Sequence, residues 1–253
     1  MALVQKIGMI PASCAIVVGA WDPLFPSVEK SLKRLARTCA KSGHYKLLPV
    51  LIDPSPPAML NPSNHPRFEC AEARLVRILD CGIEGAIRLR LSKKDLEQGV
   101  EFLLDLLSKQ TAVKCVFVGK YQSLGSAGRG DPRTIRSVCA SRKIEVLPSD
   151  ISAIANKRSA YALYRRNAFV KLADLLGRPL SWTGNVENMR VPLKSGTYRA
   201  RVATSHASLA SPAAQTLHLH VDEGGRVLLD PANALGTTGT LWIAPTRLLH
   251  RAA

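Results

Sequence analysis

Hydrophobic residues along the first 150 positions alternate between short apolar runs and longer stretches with helical spacing. The apolar runs predict strands over 14–21, 45–53, 85–91, 113–119 and 143–149. The longer stretches predict helices over 27–43, 69–82, 94–110 and 133–142. In the first of these helices Val28, Leu32 and Leu35 share one face. This alternation predicts an α/β fold whose doubly wound parallel sheet is covered by helices on both faces.

The pattern changes after a helical stretch that ends in LADLLGRP, residues 172–179. From Ser181 onward the chain consists of short alternating stretches that are separated by Gly, Pro and Asn turns. Such stretches are typical of a small antiparallel β unit. We therefore predict two domains with a boundary near Arg178, an α/β domain over 1–178 and a β domain over 179–253.

Three loop segments fall where the parallel strands end, at 19–23, 53–57 and 119–131. Ligands of open α/β sheets bind beyond the carboxyl ends of the strands. The turn after Gly19 leads into a helix, and this layout is typical of a phosphate site because free backbone N–H groups and the helix dipole face the turn. A plain strand-to-helix connection has the same layout, so both interpretations stay open here.

The chain is strongly basic, with 35 Lys and Arg against 19 Asp and Glu and a formal charge of +16. Most of the excess lies before position 180. A surface of this kind favours a polyanionic partner, either nucleic acid or an acidic protein, although a solvated basic face is the simpler interpretation. The candidate residues on the first helix lie opposite its apolar stripe, and the basic residues of a later helix could extend the patch: Lys30, Lys33, Arg34, Arg37, Arg158, Arg165 and Arg166.

The six cysteines are widely spaced and form no CxxC pair, so they predict neither a zinc ligand set nor a redox motif. Free, mostly buried thiols in a reducing cytoplasm are expected instead. His218 and His220 share one face of a strand, but no third metal ligand lies near them in the sequence. No apolar run approaches the roughly 20 residues that span a bilayer, so no membrane association is predicted.

Four motifs follow one another along the chain: GAWDPLFPSV at 19–28, IDPSP at 52–56, VFVGKYQSLGSAGRGD at 116–131 and LADLLGRPLSWTGNV at 172–186. Their order resembles the bacterial FAD synthetase family, the bifunctional riboflavin kinases and FMN adenylyltransferases. The resemblance implies a Rossmann-like nucleotidyltransferase domain followed by a shortened flavokinase-like β-barrel. The nucleotide-binding residues that it implies are Gly19, Trp21, Asp22, Gly119, Gly125, Gly130, Asp131, Lys157 and Arg158.

The chain departs from the family at the residues that perform the chemistry. Phe25 and Val28 stand where the family has two histidines that bind the triphosphate, and Ser55 replaces a third histidine. Loss of one such donor typically costs about 3 kcal/mol of transition-state stabilisation. The magnesium-binding segment of the kinase half is missing, so riboflavin kinase activity is not expected. Substitute phosphate-binding groups would be Lys157, Arg158, Lys120 or His65.

The sequence therefore predicts a non-catalytic or regulatory protein of the cytoplasm that binds a nucleotide or flavin, with ATP, FMN or FAD as ligand. One alternative is an active FMN adenylyltransferase, which would also need Mg²⁺. A second alternative is a basic module that binds nucleic acid or an acidic protein.

Overall fold

The computed structural model describes residues 2–56, 59, 68–119, 130–151, 154–185, 189, 191, 193–203, 215–229 and 240–251. The chain divides into two compact units. Unit 1 comprises Met1–Pro66 and Arg74–Ala153, and unit 2 comprises Arg67–Ala73 and Ile154–Ala253.

Unit 1 contains a six-stranded, mostly parallel sheet in the order β1-β4-β3-β2-β5-β6. Its strands are β1 (Leu3–Gly8), β2 (Ser13–Gly19), β3 (Lys46–Ile52), β4 (Gly85–Arg90), β5 (Ala112–Gly119) and β6 (Glu145–Ser149). Strands β2 to β6 pair in parallel, and β1 pairs antiparallel with β4 at the edge. The predicted parallel sheet is confirmed.

In the described part of the chain, five helices connect these strands: α1 (Pro26–Ser42), α2 (Ala71–Leu79), α3 (Lys93–Glu97), α4 (Gly99–Ser108) and α5 (Pro132–Ser141). Helix α1 has a proline in its first turn and ends at Gly43, whose φ of 68° is the left-handed conformation that suits glycine at a helix C-terminus. The single helix predicted over 94–110 is instead two helices. Gly99, with a φ of 76°, interrupts the regular helix between them.

Burial on both faces of the sheet explains why its strands appear in the sequence as continuous apolar runs. One face of the sheet packs against α4 and α5 in a cluster of buried side chains that includes Ile16, Val18, Val50, Ile87, Leu89, Leu103, Leu107 and Ile135. Helix α1 packs against β3 and inserts Val28, Leu32 and Leu35. Because helices cover both faces, residues of β2 and β3 are buried without alternation. Strand β1 was not predicted, since most residues of LVQKIG are exposed.

The described residues of unit 2 form two helices and a separate antiparallel sheet. The helices are α6 (Ile154–Arg165) and α7 (Phe169–Leu176). The strands, in the order β10-β9-β8-β11-β7, are β7 (Trp182–Asn185), β8 (Gly196–Ala203), β9 (Gln215–Val221), β10 (Val227–Leu229) and β11 (Thr240–Arg251). The predicted antiparallel sheet is confirmed. The predicted change of element type near Arg178 coincides with the end of α7, whereas the compact units divide at Ile154.

A short segment before α2 belongs to unit 2 because its side chains pack there. The Phe68 ring meets Tyr161 and Tyr164 edge-on at centroid distances of 4.8 and 5.1 Å. Glu69, which is fully buried, accepts hydrogen bonds from Arg178 Nε at 3.1 Å and Arg178 Nη2 at 2.9 Å. This two-pronged ion pair fixes the segment to the chain just after α7.

The cysteines are free, and five of the six are buried. Burial raises the pKa of Cys39 and Cys81 to about 11 and that of Cys115 to about 12. The same cause raises the pKa of Cys14 and Cys139. The predicted free and mostly buried thiols are confirmed, and burial disfavours the reactive thiolate form.

The buried pair of Glu69 and Arg178 provides a test of what holds unit 2 together. Arg178→Met leaves the Glu69 carboxylate buried without its cation, and we expect the free energy of unfolding to fall by about 3–5 kcal/mol. The double variant Glu69→Met/Arg178→Met removes both charges and should recover much of the loss. Urea denaturation of the wild type, Glu69→Met, Arg178→Met and the double variant measures this coupling. A double variant as unstable as the sum of the two single variants would contradict it.

Candidate functional site

The first turn at the carboxyl edge of the unit 1 sheet is filled by the Trp21 side chain. Strand β2 ends at Gly19, and Trp21 follows with a φ of 42°. A Cβ atom at position 19 would lie 2.3 Å from Trp21 Cε2 and 2.4 Å from Trp21 Nε1. Glycine is therefore required here by the indole ring of the same turn, which rests against the backbone.

The two positions where the resembling family has histidines are buried among apolar groups. Phe25 is 1% exposed and Val28 is 0% exposed. Phe25 is also the N-cap residue of α1, and its carbonyl oxygen accepts hydrogen bonds from the backbone N–H groups of Val28 at 2.9 Å and Glu29 at 3.1 Å. Neither side chain has a hydrogen-bond donor. These two positions thus supply packing to the start of α1 and no group that could bind a phosphate.

A buried ion cluster lies where β3 ends. Asp53 is fully buried, and both of its carboxylate oxygens are engaged by guanidinium groups, one by Arg74 of α2 and the other by Arg88 of β4 at 2.6 Å. Arg74 is fully buried and also donates to the Ala20 carbonyl oxygen at 2.5 Å. We call Asp53, Arg74 and Arg88 the Asp53 cluster. It contains two cations and one anion.

The members of the Asp53 cluster differ in their exposure. Asp53 and Arg74 are shielded from water, and the Arg88 side chain is 13% exposed. Within the cluster, Arg88 is therefore the member that a molecule from solvent can approach.

Sequence reasoning did not single out the Asp53 cluster, although α2 carries a signal for it. The buried face of α2 is formed by Ala71, Leu75 and Ile78, and Arg74 lies on the same face. An arginine in an apolar stripe is unusual and requires a buried anionic partner. The signal indicates that a partner exists. It does not identify Asp53, which lies in another element.

The structure also places four other predicted site residues of unit 1. Asp22 is buried, Gly119 ends β5, and Gly130 is buried just before α5. Asp131 is the N-cap of α5 and accepts a hydrogen bond from the Thr134 backbone N–H at 2.7 Å, which holds the pKa of its carboxyl below the usual range. Gly125, Lys120 and His65 lie outside the described residues.

Lys157 and Arg158 belong to α6 in unit 2. The Lys157 Nζ atom lies 5.8 Å from the centre of the Tyr161 ring, a cation–π arrangement, and Arg158 is exposed. Their assignment as phosphate-binding groups stays a prediction.

A cavity of about 520 Å³ opens at the other edge of the unit 1 sheet, where β2, β3 and β4 begin. Its lining includes Met9, Ala36, Cys39, Tyr45 and Lys46. Two of its polar lining side chains pair with other protein groups, Lys46 Nζ with Glu84 Oε2 at 2.5 Å and the Tyr45 hydroxyl with Glu145 Oε2 at 3.0 Å.

Two further properties concern the described part of the chain. No group of three or more His, Cys, Asp or Glu side chains is placed there to hold a metal ion. Within the same ranges no helix combines the length and apolarity needed to cross a membrane.

Comparison with known proteins found a solved structure with a similar fold. No protein-family model matches the chain, and no curated protein matches it. Among solved structures, the chain is similar to the crystal structure of a macrolide-efflux protein from Streptococcus pneumoniae, with a TM-score of 0.61. The sequence identity is 17%, and the match covers 98% of this chain and 89% of that chain. At this identity the likeness concerns the fold.

The contact between Gly19 and Trp21 can be tested by a double-mutant cycle. Gly19→Ala forces the indole ring to move, and we expect it to lower the free energy of unfolding by about 1–3 kcal/mol. In a Trp21→Ala background the same change should cost almost nothing, because the ring is gone. Chemical denaturation of the four proteins measures the coupling. An equal cost in both backgrounds would place the requirement for glycine in the backbone and not in this contact.

Proposed function

We propose that the protein binds the phosphate group of a nucleotide or flavin at the carboxyl edge of the unit 1 sheet and does not catalyse adenylyl transfer. The observation that carries the proposed lack of catalysis is the burial of two apolar side chains, Phe25 and Val28, at the start of α1. The resemblance to FAD synthetases in motif order supports the ligand class.

Transfer of an adenylyl group develops negative charge as pyrophosphate leaves the α-phosphorus. Enzymes lower the barrier of such a step mainly with donors and cations that are already in position. Phe25 and Val28 offer neither, and their burial leaves no room for a ligand oxygen beside them. Binding and chemistry are separable, because only interactions that strengthen in the transition state accelerate a reaction.

The Asp53 cluster supports an anionic ligand at the same edge. Its two guanidinium groups share one carboxylate, and Arg88 is the member with partial exposure. A guanidinium group with partial exposure can donate hydrogen bonds to a phosphate oxygen. ATP, FMN and FAD all carry such a group, so the proposal is for the phosphate end of these molecules.

The absence of adenylyl transfer is tested directly. Purified protein incubated with FMN, ATP and Mg²⁺ should form no FAD above background, as measured by chromatography beside an active FAD synthetase. The variant Phe25→His/Val28→His should also be inactive. It should be less stable than the wild type by about 1–3 kcal/mol for each buried imidazole that finds no hydrogen-bond partner. Robust FAD formation by the wild type would establish the alternative, an active FMN adenylyltransferase.

Ligand binding is tested by calorimetric titration with ATP, FMN and FAD. We expect at least one of them to bind, and Arg88→Gln to weaken that binding at least tenfold because it removes the partly exposed guanidinium group. Lys46→Gln is the matched control, since it removes one cation from the amino edge of the same sheet. Binding heats that are missing for all three ligands, or equal losses in the two variants, would contradict the proposed site.

A further inference from the structure

Helix α1 presents a continuous line of cations on its outer side. The line consists of Lys30, Lys33, Arg34, Arg37 and Lys41, all exposed, and we call it the α1 basic stripe. At about 100° of rotation per residue these five positions fall within an arc of about 100°. The buried residues Val28, Leu32, Leu35 and Cys39 lie on the opposite side of the helix.

Acidic groups compensate little of this charge. The only acidic residue of α1 is Glu29, which lies beside the stripe and accepts hydrogen bonds from Arg77 of α2 at 3.0 to 3.1 Å. Arg34 pairs with Asp150. Among the described residues, no carboxylate lies within ion-pair distance of Lys30, Lys33, Arg37 or Lys41. Four cations without an ion-pair partner among the described residues therefore lie in one line.

The spacing of these four cations is regular. They follow one another at steps of three or four residues, which correspond to about 4.5–6 Å along the helix axis and about 16 Å in total. The structure around the line is rigid, because the apolar side of α1 is buried in unit 1. A ligand would thus meet a preformed row of positive charge and pay no cost for ordering the helix.

We propose that the α1 basic stripe binds the phosphate backbone of a nucleic acid without reading its sequence. A nucleic acid strand carries one negative charge per about 3.4 Å, a linear and regular array that a straight row of cations fits. The formal charge of +16 for the whole chain would add long-range attraction. Insertion into a lipid surface does not fit, since the apolar residues of α1 are buried in the core and unavailable to lipid.

The test uses the full chain and four charge reversals. The stripe variant is Lys30→Glu/Lys33→Glu/Arg37→Glu/Lys41→Glu, in which Arg34 and its pair with Asp150 are kept. The control variant reverses four exposed cations on other helices of unit 1 and changes the formal charge by the same amount: Lys93→Glu/Lys94→Glu/Arg133→Glu/Arg136→Glu. Both are compared with the wild type by circular dichroism and by their unfolding midpoints.

Binding to a labelled random DNA duplex, a single-stranded RNA and phosphatidylserine vesicles is measured between about 50 and 200 mM KCl. If four phosphates are engaged, the wild-type affinity for duplex DNA should fall about a hundredfold over this range. The stripe variant should bind about a hundredfold more weakly at the lowest salt and lose most of its salt dependence. The control variant should keep the wild-type salt slope.

Three results would overturn the inference: no binding of the wild type to either nucleic acid at low salt, equal losses in the two variants, or binding to vesicles alone. Equal losses would mean that net charge alone is responsible. If the glutamate variant does not fold, the corresponding variant with four glutamines serves instead. It should also flatten the salt slope by about three to four units, and an unchanged slope would again overturn the inference.

Discussion

The buried ion pair between Asp53 and Arg74 constrains the carboxyl edge of the unit 1 sheet by joining α2 to the end of β3. Both side chains are fully withdrawn from water. Such a pair is tolerated only when nearly every hydrogen bond of both groups is made, because desolvation of each ion costs several kcal/mol. Arg74 meets this condition by also donating to Ala20, which ties α2, the end of β3 and the turn after β2 to one another.

This constraint determines what the edge can offer a ligand. The turn after β2 is held by Arg74 from one side and packed by Trp21, Phe25 and Val28. Arg88 is the partly exposed cation of this edge, and Phe25 and Val28 have no hydrogen-bond donor in their side chains. Our proposal separates binding from catalysis for this reason, because only donors and cations already in position lower the barrier of a transfer reaction.

Much of the fold could be predicted because helical and strand periodicity are local properties. The alternation over the first 150 residues indicated the parallel sheet, and the change in pattern after α7 indicated the antiparallel one. Prediction was less successful where local signals were weak. Strand β1 carries few buried residues and depends on pairing with β4, and Gly99 divides a stretch whose apolar spacing is otherwise continuous.

Some features of the candidate site could likewise be predicted from the sequence, and others only from the structure. The chemical identity of Phe25 and Val28 is sufficient, by itself, to exclude donors at those positions, and the basic side of α1 follows from helical spacing alone. Only the tertiary structure decided that the Trp21 ring covers Gly19 and that Arg74 and Arg88 converge on Asp53. The physical reason is that these ion pairs join residues 21 and 35 positions apart, and their geometry depends on strand order, on helix placement and on exclusion of water. None of these is encoded in a local pattern of side chains.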